Sequence, residues 1–203
     1  GELVTFCARK QWSETQVRDF LSRTMQNLSS NAQKDSRLAY LLVQWSYALM
    51  QSWDSEKNYT QELILFDQLS SYVTWENIDD EILILKPRLL AKMNQYDDSI
   101  RAYENYLTIA KKKLKKSEKR TPFHDDALYE LADVWQKKGD LLRARQLYLQ
   151  LIEKVEISRL HDDAAFSYAL TFSENDLSRE LQNFIKKYPN SRHIKQARLL
   201  VGT

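Results

Sequence analysis

Apolar residues recur at three- and four-residue intervals along most of this chain, and the clearest case runs from Asp126 to Lys154. Leu128, Leu131, Ala132 and Trp135 fall on one face of a predicted helix. Gly139-Asp140 interrupts the pattern, since glycine readily takes the positive φ that ends a helix. Ala144, Leu147, Tyr148, Leu151 and Ile152 then share the face of a second helix, and the small Ala144 lets the two backbones approach. Neither helix can bury its stripe alone, so neighbouring pairs must stack.

The pattern repeats. Between Asp80 and Ala110, Leu83, Leu90, Asn94, Ser99, Tyr103 and Leu107 occupy corresponding positions, with Asn94 for the turn glycine and Ser99 for the alanine. Pro87 falls mid-way in the first of these helices and is expected to kink it, because proline lacks the amide donor. Downstream, His161-Asp162-Asp163-Ala164 repeats His124-Asp125-Asp126-Ala127, and Phe166, Tyr168, Ala169 and Leu170 lead into a shorter pair ending near Ser191.

Leu128, Leu131, Ala132, Trp135, Gly139, Ala144, Tyr148 and Leu151 match the spacing of small and large residues in one tetratricopeptide (TPR) repeat, and the chain resembles that family over roughly residues 80 to 200. The resemblance implies an all-α, right-handed α-solenoid of antiparallel helix pairs, about ten helices in all. Its repeats would span about 80–120, 124–158 and 161–190, with a C-terminal helix at 191–201. Tyr188-Pro189-Asn190-Ser191 between two helices resembles the repeat boundaries of bacterial outer-membrane assembly lipoproteins and periplasmic coordinators of envelope constriction. That implies a periplasmic or envelope-associated protein; a cytoplasmic one is the alternative.

The N-terminal third carries no clear TPR pattern, and residues 1–78 read as atypical or capping helical pairs. Leu3 to Phe6 is either an extended lead-in or the end of an earlier helix. Ser13 or Thr15 would cap a helix reaching about Leu28, with Val17, Phe20, Leu21, Met25 and Leu28 on one side. A long helix to about Trp53 follows, with Leu38, Leu41, Leu42, Trp45, Leu49 and Trp53 inward, then another from Tyr59 to about Trp75.

Composition narrows the function classes. Only 3 glycines and 3 prolines in 203 residues argue for near-continuous helix. A net charge of +2 gives no general case for nucleic-acid binding. A single cysteine, Cys7, rules out an internal disulfide framework, and Val4-Thr5-Phe6 ahead of it makes a poor lipidation site. No apolar run approaches the ~18 residues of a transmembrane helix. The chain opens at Gly1 without methionine and reads as a trimmed or mature form with both ends cut, which would leave targeting information missing from it.

Charge is polarised. Residues 1–80 hold 7 Lys/Arg against 11 Asp/Glu, and residues 81–203 hold 23 against 17. Lys111, Lys112, Lys113, Lys115, Lys116, Lys119 and Arg120 form a basic run. It reads as a solvated helix extension or as a patch for anionic lipid or nucleic acid, without the interleaved aromatics of a single-strand binder.

No constellation points to an enzyme. There is no glycine-rich phosphate loop, no GxSxG and no cysteine nucleophile in a motif. Asp125 and Asp126 are adjacent helix residues that do not face each other, so they make a poor acid–base pair. His124 and His161 sit one repeat apart ahead of paired aspartates, which suits helix-end capping and not a metal site. No catalytic residue, cofactor or metal is expected.

In the TPR family the first helix of each pair lines the concave groove. The resemblance therefore nominates Arg88, Lys92, Tyr129, Asp133, Gln136 and Phe166 as groove residues turned away from the core, suited to a peptide or partner helix. The two-carboxylate clamp of chaperone-tail-binding TPRs is missing, since the chain's Lys-x-x-x-Asn, Lys186 to Asn190, straddles Pro189. The reading is a non-enzymatic protein–protein interaction scaffold of the bacterial envelope. The alternative is a cytosolic or nuclear adaptor touching nucleic acid or anionic lipid through Lys111–Arg120. A purely structural module of a larger chain is a third reading.

Overall fold

A computed structural model of the chain describes residues 16, 19–20, 23–24, 59–72, 79–113, 121–155 and 158–202. The described residues are helices and short turns, with no strand among them. The helical segments are α1 (Tyr59–Tyr72), α2 (Asp80–Leu83), α3 (Leu85–Lys92), α4 (Tyr96–Lys113), α5 (His124–Lys138), α6 (Leu141–Lys154), α7 (His161–Ala169), α8 (Glu174–Lys187) and α9 (Ile194–Val201). Counting α2 and α3 as one broken helix gives eight helices between Tyr59 and Val201 among the described residues. Further upstream, Gln16, Asp19, Phe20, Arg23 and Thr24 are helical, and Thr24 Oγ1 donates to the Phe20 carbonyl at 2.7 Å. The predicted helix carrying Trp45 and Trp53 lies outside the described residues.

The chain divides into two compact units, Gly1–Asn94 and Gln95–Thr203. This division marks where contacts thin out; the sequence boundary near residue 78 marks where the repeat pattern starts.

In the first unit α1 packs on α3. Leu65, Phe66, Ile82, Leu83, Ile84, Leu89 and Leu90 are buried. Lys86 Nζ donates to Asp67 Oδ1 at 2.6 Å across the two helices. Helical continuity breaks at Ile84, and Pro87 follows three residues later in the first turn of α3. There its missing amide costs nothing, because first-turn amides have no partner within the helix. Asn94 ends this unit with φ 59°, a left-handed conformation that asparagine tolerates better than most residues. Gly139 takes the same role with φ 94°.

In the second unit consecutive helices pack in succession from α4 to α9. Ser99 and Tyr103 of α4 stand 45 residues before Ala144 and Tyr148 of α6, and the two helices bury these positions alike. Ser99 and Ala144 are both completely buried, as are Tyr103 and Tyr148. Tyr103 donates to Glu130 at 2.9 Å and Tyr148 to Gln136 at 3.1 Å, which makes burial of the phenols tolerable. A second apolar cluster forms around Phe166, Ala169, Leu181, Phe184 and Ala197.

Candidate functional site

The first helices of successive pairs, α5, α7 and α9, start in the same way. The amides of His124, His161 and Ile194 donate to the carbonyls of Thr121, Ser158 and Ser191, each three residues back. In the last two turns the serine hydroxyl also accepts, from Leu160 N–H and His193 N–H, both at 3.2 Å. The fourth residue of each helix is a fully buried alanine: Ala127, Ala164 and Ala197.

This common start carries a repeated ion pair. Arg159, in the turn before α7, donates to Asp126 of α5 at 2.5 Å. Arg192, in the turn before α9, holds Asp163 of α7 through Nε (2.9 Å) and Nη2 (2.8 Å). His193 Nε2 lies 2.7 Å from the same carboxylate, and its ring stacks on Phe166 with centroids 4.5 Å apart. Ser191 Oγ donates to Asp162 at 2.7 Å. Arg159 and Arg192 hold equivalent places, as do Asp126 and Asp163. Each turn arginine thus clasps the first turn of the preceding first helix.

Along α5, Tyr129 and Asp133 lie one helical turn apart. The Tyr129 hydroxyl reaches Ser167 Oγ of α7 at 3.1 Å, so the two first helices lie side by side there. Burial pushes the Tyr129 hydroxyl above the usual phenol range. Asp133 pairs with Lys137 at 2.7 Å and both stay largely open to solvent. Gln136 turns inward to accept from Tyr148, so it is only partly available to a ligand.

Phe166 corrects the sequence reading. It is 4% exposed, belongs to the second core cluster and is covered by His193 and Phe184. The helical wheel could not reveal this, because the covering residue comes from the next repeat. In the first unit, Arg88 is half-buried, and exposed Lys92 sits with Nζ 4.9 Å from the Tyr59 ring. Lys111 and Lys112 are exposed on α4, and Lys113 is its last residue. Lys115, Lys116, Lys119 and Arg120 lie outside the described residues.

The histidines also differ from expectation. His124 and His161 are the first residues of α5 and α7, yet neither side chain caps a helix amide. His161 Nε2 meets the Val155 carbonyl at 2.7 Å, tying the turn back to the end of α6, and His124 Nδ1 lies 3.3 Å from Asp125. Among the described residues no three His, Cys, Asp or Glu side chains converge as a metal site would need, and no helix is long and apolar enough to cross a membrane.

The chain folds as a TPR-like helical repeat. It is similar to BtubC (BKLC) from P. vanneervenii, with 14% identity and a TM-score of 0.62 over 91% of this chain and 80% of that one. It is also similar to a kinesin light chain-like protein of Podosopora anserina with nearly identical TPR-like repeats, at 15% identity and a TM-score of 0.57 over 82% of each chain. A single-substitution variant of that protein gives 14% and 0.58 over the same shares. No family model and no curated protein sequence matches the chain. At such low identity the likeness is one of fold.

Within this TPR-like frame the sequence reading missed the clasp. Its signal was present as Ser158-Arg159 and Ser191-Arg192, each preceded by an Asp-Asp pair one repeat earlier. At the first turn Pro122 replaces the arginine, which hides the pattern.

Proposed function

We propose that this chain is a non-enzymatic scaffold that holds a peptide or partner helix against the strip formed by its first helices. The observation that carries the reading is the lateral link between successive first helices. Tyr129 to Ser167, and Asp163 to Arg192 and His193, join α5, α7 and the start of α9 side by side. A partner lying across them would meet a continuous row of tyrosine, aspartate and arginine side chains with restrained conformations, and restraint before binding lowers the entropic cost of association. Tyr129 and Asp133 are the central contacts of that row. Placement in a bacterial envelope assembly rests on the resemblance of Tyr188-Pro189-Asn190-Ser191 alone.

The test is photo-crosslinking from position 133 in the native cell, with mass spectrometry of the adduct. Position 133 is preferred over 129 because Asp133 is open to solvent while Tyr129 supports the neighbouring helix. A discrete protein adduct is expected, and its identity names partner and compartment together. Absence of a protein adduct there, with a lipid or nucleic-acid adduct from position 112, would overturn the reading.

A further inference from the structure

A cavity of about 380 Å³ lies between α4, α5 and α6. Two of its walls are second helices: α4 supplies Leu107, Ala110 and Lys111, and α6 supplies Gln150. The third wall is the start of α5, with Leu128 at depth and Thr121 and His124 nearer the turn. The volume falls in the range of roughly 300–1,000 Å³ common to small-molecule sites.

The chemistry of the lining is uneven. Leu107, Ala110 and Leu128 give aliphatic surface, and the His124 imidazole is the one ring among the described lining residues. Thr121 already lies 3.4 Å from the Tyr106 hydroxyl, so the phenol anchors that corner. Among the described residues no aspartate or glutamate lines the cavity, and Lys111 is the one lysine or arginine that does. Among the described residues no ion pair occupies Lys111. Among the described residues, apolar Leu107, Ala110 and Leu128 beside the Lys111 ammonium suit a ligand with an apolar body and one negative end.

We propose that this cavity binds a small amphipathic carboxylate, its hydrocarbon part on Leu107, Ala110 and Leu128 and its carboxylate on Lys111, with Gln150 closing the side opposite α4. The site shares α5 with the partner strip but uses neither Tyr129 nor Asp133, so its test does not require a bound partner.

Isothermal titration of the full chain with octanoate and with 1-octanol tests the proposal, thermal melting serving as a control for folding. Octanoate binds at least about tenfold more tightly than octanol, the factor expected for one charge-assisted hydrogen bond. Lys111→Ala brings the two ligands to equal affinity with melting unchanged. Gln150→Trp, a bulky group at a half-exposed helix position, abolishes both. Equal binding of the two ligands to the unaltered chain, no binding of octanoate, or an undiminished preference in Lys111→Ala would overturn the assignment.

Discussion

The helix pairs α5–α6 and α7–α8 begin alike and end differently. Both open on a hydroxyl residue, His-Asp-Asp-Ala and a completely buried alanine. α5 then runs 15 residues to Gly139, where the amides of Gly139 and Asp140 return to the Gln136 and Trp135 carbonyls. Asp140 goes on to accept from Arg143 N–H and start α6. α7 stops after nine residues at Leu170, which stays in the right-handed region. There the amides of Leu170, Thr171 and Phe172 return to the Phe166, Tyr168 and Ala169 carbonyls, and side chains add to them. Thr171 Oγ1 donates to the Tyr168 carbonyl at 2.6 Å, and Arg145 of α6 donates to the Thr171 carbonyl at 2.8 Å while lying 3.8 Å over the Phe172 ring. A helix end must satisfy its last carbonyls somehow. The comparison teaches that these repeats are registered at their starts, through the clasp, and that the length of the first helix is free wherever some group meets that requirement.

The hardest blow to this picture is Ala144→Trp. Ala144 is fully buried between α5 and α6, and no rotamer of tryptophan fits there without parting the helices. Loss of the cooperative thermal transition is expected; unchanged melting would end the equivalence of Ser99 and Ala144. Next comes the clasp. Asp163 is 9% exposed and doubly held, so Arg192→Ala should cost about 2 kcal/mol even though the arginine is 72% exposed. Arg159→Ala, which leaves Asp126 one hydrogen bond poorer, should cost under about 1 kcal/mol. Denaturant titration of both variants checks the ranking, and equal costs would mean that the second arginine hydrogen bond to Asp163 adds nothing. Gly139→Ala should cost about 1–2 kcal/mol from backbone conformation alone, because a Cβ there meets no atom within 4 Å. Gly139→Asn should lose less, as Asn94 stands at the matching place. Leu170→Gly should bring no gain, because α7 never enters the left-handed region.

Why the helix pairs could be read from sequence, and the site only in part, follows from range. Leu128, Leu131, Ala132, Trp135 and Gly139 act within three or four residues of one another, and short-range periodicity reports that directly. The break near Pro87 was legible for the same reason. Phe166 was misplaced because its cover, His193, lies 27 residues away and belongs to the next repeat. The clasp has the same range: Asp126 to Arg159 spans 33 residues and Asp163 to Arg192 spans 29. The small-molecule cavity draws on α4, α5 and α6 together, so no single helical pattern announces it. In α9, Lys195 and Gln196 stand where α5 and α7 carry their paired aspartates, so the acceptor of the clasp is absent from the last described helix.

An effect confined to alkaline pH separates the two pairs by chemistry. Tyr148 of α6 is buried, while α8 carries Leu181 at the matching place, 33 residues on. Burial pushes the Tyr148 hydroxyl well above the usual phenol range. Below about pH 10, an unfolded tyrosine and the folded one both hold the proton, and stability does not depend on it. Above that pH the unfolded chain releases a proton that the folded chain retains. The folded state then binds more protons, and stability falls by up to about 1.4 kcal/mol per pH unit for this group. Tyr148→Phe should cost about 1 kcal/mol at neutral pH, through the lost hydrogen bond to Gln136. It should also remove this group's share of the alkaline slope, so its disadvantage shrinks and then reverses as pH climbs past about 10. Leu181→Ala weakens folding by a similar or larger amount without touching the slope, because it removes packing and no titrating group. A slope unchanged in Tyr148→Phe would show that the hydroxyl is not sequestered between α5 and α6, and the first pair would then be as loosely closed at its centre as the second is at its end.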